Sequence, residues 1–287
     1  MCIKGLQREF CILALFFDDK KYFSHYSLLL HSALPIFHPF NYLCAMAKTR
    51  TNRTKSKAKH PLLKKITNIA TKVFLYFLLV SVFWVIALRF INPPITLLMV
   101  LRNIERKADG KPFKTEKKWV KFEDMSDNMK RAAVSAEDQL FLKHIGFDMK
   151  AIEKAFASNA KGKKVKGGST ISQQTAKNVF LWPGRSWIRK GFEAYFTLLI
   201  ELFWSKERIL EVYLNVIEMG DGIYGAEAAA QEYYGKSCTK LTRKQAALIA
   251  SCFPNPRRWT PKNATPYIRH RQYLILRNMN RLGPLDF

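Results

Sequence analysis

Acidic residues are the scarce class in this 287-residue chain, with 22 Asp and Glu against 48 Lys and Arg and a formal net charge of +26. That imbalance calls for an anionic partner: nucleic acid, anionic lipid or a phosphorylated substrate. Cysteine is scarce as well. The five are Cys2, Cys11, Cys44, Cys238 and Cys252; none forms a C-x-x-C pair, so a zinc site of that kind is excluded and Cys238 and Cys252 read as free thiols. Runs that alternate with period two are few, so few strands are expected. The P-loop pattern G-x-x-x-x-G-K-[ST] is absent, and no internal repeat is visible. Apolar residues are not lacking: at 48% hydrophobic content the chain is not a disordered polyelectrolyte.

Charge and hydropathy divide the chain. Residues 47–65 hold eight Lys and Arg and no acid, and residues 73–88, VFLYFLLVSVFWVIAL, hold no charge. A bilayer span needs about 20 apolar residues, and Lys72 and Arg89 can snorkel at its ends. Every face of the segment is apolar and no small-residue cleavage site follows. It therefore reads as an uncleaved signal anchor, with residues 46–72 cytoplasmic, 73–91 in the membrane and 92–287 on the outer side. Residues 1–45 fit poorly, being apolar stretches broken by His, Asp-Asp and Pro ahead of Met46. The expectation is that translation starts at Met46 and that 1–45 are foreign to the mature protein.

Beyond Asn92 the periodicity is helical over 93–107, 127–143, 148–160, 169–181, 186–204, 206–218, 224–234, 242–252 and 265–282. The acids thin out further from Lys154 to Phe192, where nine Lys and Arg stand with no Asp or Glu. Inside that interval GGSTISQQTAKN, 167–178, joins open glycines, the hydroxyls of Ser169 and Thr170, a helix start and Lys177. Together these suit a phosphate. FLWPGRSWIRKGFE, 180–193, interleaves aromatics with Arg185, Arg189 and Lys190 around a Pro-Gly turn. It suits a membrane interface, or bases stacked on aromatics. Glu193 closes the interval and stands four residues after Arg189, at salt-bridge spacing.

Against that background AEDQLFLKH, 136–144, places two acids side by side in an apolar stretch. On a helix Glu137, Phe141 and His144 share a face, whereas Asp138 points about 100° away. The two acids then serve different surroundings, and Glu137 is the candidate for proton transfer. In 206–236, Tyr213, Leu214 and Ile217 read as core, and Gly220, Gly222 and Gly225 as turn geometry.

Taken in order, EDQLFLKHIGFD, GGSTISQQTAKN, RKGFE, KERILEVYLNVIEMG, and AAAQEYYGK followed by LTRKQAALIASCFPNP resemble the peptidoglycan glycosyltransferases, and among these the monofunctional biosynthetic transglycosylases. The resemblance covers roughly residues 93–285, and no transpeptidase domain follows. It implies a mainly α, lysozyme-like domain with a small membrane-associated jaw at about 180–188, a mobile segment at about 160–168, and one preceding transmembrane helix. It places the catalytic base on Glu137 and the second acid on Glu193. Lys177 and Arg185 fall on the diphosphate-binding cations, and Ser169, Thr170, Gln174, Arg189 and Lys190 on further pocket positions.

The implied reaction polymerises lipid II. The 4-hydroxyl of the acceptor GlcNAc attacks C1 of the donor MurNAc, which carries undecaprenyl diphosphate, and inversion gives a β-1,4 link. The leaving group is a stabilised dianion, so cations serve it better than a general acid. A hydrolase must instead protonate a poor leaving group, typically with a second carboxyl. No tightly bound cofactor is expected; a divalent cation, Mg or Mn, could accompany the substrate diphosphate. Expected partners are lipid II, the growing glycan, membrane lipids and other cell-wall synthesis and division proteins, with no nucleic acid. The expected location is the inner membrane, with the catalytic domain in the periplasm. The rivals are a lytic transglycosylase or muramidase, and a membrane-anchored nucleic-acid binder.

Overall fold

A long apolar helix, α1 (Pro61–Phe90), leads into the domain. The computed structural model describes residues 61–150, 152, 153, 168–184 and 186–287, of which Thr67–Phe287 form one compact unit. The readings of residues 1–45, of most of the basic segment, of most of the 148–160 helix and of Arg185 lie outside the described residues, as does the mobile segment apart from Gly168. Within α1 the 27 residues Lys64–Phe90 are long and apolar enough to cross a membrane, and their side chains are mostly exposed.

One stripe of α1 is covered. Ser81, Val85 and Leu88, spaced i, i+4 and i+7, are buried, with the Ser81 hydroxyl 2.7 Å from Tyr195 Oη. Trp204 Nε1 donates to the Val85 carbonyl at 2.8 Å. Arg208 donates to the carbonyls of Leu88 and Ile91 at 2.9 and 3.0 Å, satisfying acceptors that the end of α1 leaves open.

Next come α2 (Leu97–Ala108), strand β1 (Glu116–Lys117), α3 (Asp127–Glu137), α4 (Ile171–Phe180), α5 (Trp187–Phe203) and α6 (Lys206–Val216). The hairpin β2 (Glu218–Gly220) and β3 (Ile223–Tyr224) follows, then α7 (Ala226–Tyr234), a 3-10 turn at Cys238–Lys240, α8 (Arg243–Ser251) and α9 (Pro266–Leu282). The sheet has three short strands in the order β1-β3-β2, with β1 parallel to β3 and β2 antiparallel to it. The architecture is mainly α, as expected.

Two helical groups make the core. α8 packs against α3 and α9, and α4 packs against α5 and α6. Alanines at 132, 133, 246, 247 and 250 are buried, and their small side chains let α3 and α8 approach closely. Ile209, Leu210, Tyr213 and Leu214 on α6 are fully buried, each contributing about 1.5–3 kcal/mol by removal from water. Gly225 shows why the IYGAE turn needs glycine: its φ is +83°, and a Cβ would meet the Asn215 carbonyl oxygen at 2.8 Å. Cys238 and Cys252 are buried free thiols.

Helical periodicity predicts that the third helix runs through to residue 143. It ends instead at Glu137; Asp138 is extended, with φ −157° and ψ 80°, and residues 139–143 form turns. The shared helical face of Glu137, Phe141 and His144 therefore does not exist. Phe141 is fully buried, and His144 pairs with Asp138.

Candidate active site

The break after Glu137 builds the site. Asp138 turns inward and is buried. Its carboxylate accepts from His144 Nε2 at 2.9 Å, and its Oδ2 from the backbone N–H of Ile171, the first residue of α4, at 3.0 Å. A carboxylate only accepts, so the imidazole proton sits on Nε2. Thr170 completes the junction as the N-cap of α4. Its Oγ1 accepts from Gln173 N–H at 3.2 Å and donates to the Gly146 carbonyl at 2.6 Å, while Gln173 Oε1 accepts from the Thr170 N–H at 3.0 Å. Asp138 and Thr170 thus bolt the end of α3 to the start of α4.

One turn into α4, Gln174 Nε2 donates to Glu137 Oε2 at 2.8 Å, and its Oε1 accepts from Tyr213 Oη at 3.3 Å. The carboxylate on one side and the phenol on the other orient the amide. Burial, with the charges of Glu137 and Asp138, raises the Tyr213 phenol well above its ordinary value, so it remains a donor. Tyr213 is therefore core and site lining at once, a role that reading it as core alone missed; its one signal was a hydroxyl in an otherwise apolar helix face.

Two cavities adjoin at this contact. The first, ≈ 340 Å³, is lined by Gln174, Lys177, Trp182, Arg189 and Tyr213 among others. The second, ≈ 290 Å³, is lined by Glu137, Leu140, Asp148, Gly168, Ser169 and Thr170 among others. Gln174 lines one and Glu137 the other, so the 2.8 Å bond stands at their junction. Ser169 is exposed at the second cavity. Burial pushes the Lys177 ammonium below the ordinary lysine value; Glu193 and Glu137 draw it up, and Arg189 and Lys190 press it down. Lys177 and Glu137 thus lie within electrostatic reach of each other.

Glu193 is buried beneath this surface and does not line either cavity. Its Oε2 accepts from Arg189 Nη1 at 3.2 Å, and its Oε1 accepts from Lys190 Nζ. The salt-bridge spacing read from the sequence is realised, with a second cation added. Arg102 and Glu218, which carry no role in the sequence motifs above, also line the first cavity. Among the described residues no group of three or more His, Cys, Asp and Glu is placed to hold a metal ion.

The transglycosylase family profile matches residues 105–280. The chain is 47% identical to the biosynthetic peptidoglycan transglycosylase of Pseudomonas fluorescens Pf-5 over 216 residues, covering 75% of this chain and 90% of that protein. It is 47% identical to the protein of the same name from Pseudomonas entomophila L48, covering 77% and 94%. It is 46% identical to the one from Pseudomonas aeruginosa PAO1, covering 75% and 93%. The match runs from the last turn of α2 to near the end of α9 and holds α3 to α6, which carry Glu137, Gln174, Lys177, Arg189 and Tyr213; the chain belongs to the transglycosylase family.

Proposed function

We propose that this transglycosylase is a peptidoglycan glycosyltransferase that polymerises lipid II at the junction of the two cavities. The observation that carries the reading is a carboxylate, Glu137, held by Gln174 beside a cavity walled by Lys177 and Arg189. The donor strand lies in the cation-lined cavity with its MurNAc C1 at the junction. The acceptor lies in the other, offering its 4-hydroxyl to Glu137.

The acceptor oxygen forms the new bond to C1 and its proton passes to Glu137. The C1–O bond to the diphosphate breaks from the opposite face, and the bond electrons leave with the diphosphate. Lys177 and Arg189 receive that charge, with Arg185 added on the strength of the family resemblance. Lys190 contributes to the field through its pair with Glu193. Ser169 and Thr170 border the acceptor, Thr170 chiefly as the helix cap. Glu193 acts by holding Arg189 and Lys190 in place, a positioning role. A divalent cation, if the reaction uses one, travels with the diphosphate.

Glu193 also argues against a muramidase. A hydrolase of two carboxyls needs its second acid free at the sugar, and this one is locked between two cations. The basic segment before α1 favours a cytoplasmic N-terminus and a periplasmic domain. Incubating the detergent-solubilised chain from Met46 with purified lipid II tests the reading. Polymer from the wild type and none from Glu137→Gln supports it; solubilised sacculi without polymer favours the hydrolase.

A further inference from the structure

The first cavity holds polar atoms that the reaction above does not use. Glu218 and Arg102 both line it. The Glu218 side chain is 8% exposed, and its Oε1 is buried without a hydrogen-bond partner. Arg102 Nε is likewise buried and unbonded, 3.5 Å from Glu218 Oε2. That separation allows attraction but is too long for a good hydrogen bond. Across the hairpin Glu218 pairs with Tyr224, whose buried hydroxyl also lacks a partner. Buried polar atoms are nearly always bonded, so a cluster of open ones beside a cavity asks for a ligand.

Charge narrows the class of that ligand. Lys177 and Arg189 supply unshared cations to the proposed leaving group, apart from the Glu193 pair of Arg189. The Arg102 guanidinium is answered by Glu105, 2.7 Å from Nη1, and by Glu218. An anion gains little from a guanidinium already shared by two carboxylates. Burial pushes the Glu218 carboxyl up, against the pull of Arg102 and Arg257 and with the push of Asp221 and Glu105, so the patch holds both signs of charge already paired and suits a neutral partner. A donor and an acceptor side by side match hydroxyl and acetamido groups, and the apolar lining of Leu98, Phe253 and Pro256 suits the faces of sugar rings. Arg102 lies outside the matched family segment, 105–280, so it is not one of the motif cations.

We propose that Arg102 and Glu218 form a saccharide subsite of the donor cavity, hydrogen-bonding hydroxyl and acetamido groups of the growing strand. This rests on the reading of that cavity as the donor site. A small rotation of either long side chain presents its open atom to the sugar. The subsite holds the strand after each diphosphate departs.

The test is binding, in full-length protein carrying Glu137→Gln so that nothing turns over. The probes are a lipid-free β-1,4-linked GlcNAc–MurNAc tetrasaccharide and inorganic pyrophosphate, each titrated by calorimetry. Arg102→Ala is expected to weaken the tetrasaccharide about tenfold and leave pyrophosphate unchanged. Arg102→Lys, which retains the charge beside Glu105, and Glu218→Gln, which retains the shape, cover the case in which the alanine variant does not fold. Both should weaken the tetrasaccharide with unchanged melting temperature. Tetrasaccharide affinity equal to the parent in the folded variants overturns the proposal, and so does a loss confined to pyrophosphate. Lipid II polymerisation by the wild type is scored separately. Polymer with unaltered saccharide binding sinks the subsite alone, while Arg102-dependent saccharide binding without polymer sinks the polymerase reading alone.

Discussion

Replacing Glu137 with glutamine removes a proton acceptor and alters little else. The side chain is partly exposed, its Oε2 accepts from Gln174 Nε2, and an amide of the same shape can turn its oxygen to that Nε2. Polymerisation by Glu137→Gln should therefore be lost while lipid II binding stays near that of the wild type, as equilibrium binding to labelled lipid II would read. Lys177→Ala removes a cation aimed at the leaving group and should cost about 3 kcal/mol of barrier, roughly a hundredfold in kcat. Lys177→Arg separates charge from titration. Burial sets the Lys177 value below that of an ordinary lysine, so raising the pH strips this cation early and activity falls. A guanidinium does not titrate there, so the arginine variant should push the alkaline limb of the kcat profile upward. Stability runs the opposite way: between the lowered folded value and the ordinary one the unfolded chain holds more protons, and the fold gains as pH rises. An alkaline limb that does not move in Lys177→Arg would assign it to another group.

At the scale of elements, the α3–α4 junction decides whether the site exists. Asp138 holds the first N–H of α4 and His144 together, and Thr170 caps the same helix. Asp138→Ala leaves that N–H and the imidazole buried and unpaired, at a cost of about 2–3 kcal/mol. Thr170→Ala loses a cap, at about 1 kcal/mol. Both should lower the melting temperature and swing Gln174 away from Glu137, so activity falls with stability, unlike Glu137→Gln. Glu193→Gln belongs to the same class. It leaves Arg189 buried without its counter-charge, at about 3 kcal/mol, and loss of rate without loss of stability would show that Glu193 does more than position. This junction also marks where the sequence stopped being legible. The helices α4, α5 and α6 could be read from apolar spacing and caps, and the unlike surroundings of Glu137 and Asp138 from their adjacency. The stop after Glu137 could not, because its cause is the reach of Asp138 to a backbone N–H 33 residues on. Tyr213 against Gln174, and Arg102 against Glu218, are tertiary meetings of the same kind, with no signal in local spacing.

For the whole molecule the question is how a helical fold presents the proposed site to a lipid-linked substrate. α5 offers two faces. Phe196, Ile200 and Glu193 point inward, while Trp187, Leu198 and Leu202 lie on one outer face, 92%, 55% and 73% exposed, with Ile188 beside them at 72%. A helix with apolar residues on both sides is partly immersed in something other than water. α1 is docked against that same region through Ser81 and Tyr195, and its own outer surface is apolar. The exposed face of α5 therefore adds to the apolar surface of α1, and Trp182, which lines the first cavity, packs against Phe192 of α5 with ring centroids 6.2 Å apart. α1 is long and apolar enough to cross a membrane by itself, so this face should set depth and orientation rather than attachment. The double variant Trp187→Ser, Ile188→Ser touches neither Glu137 nor Lys177. It should leave kcat near the wild-type value and raise the KM for lipid II about tenfold, since each large side chain withdrawn from the lipid forfeits about 1.5–3 kcal/mol at full burial. Quenching of tryptophan fluorescence by brominated phospholipid should fall in parallel. Unchanged quenching would place α5 in water and leave α1 alone to bring the domain to its substrate.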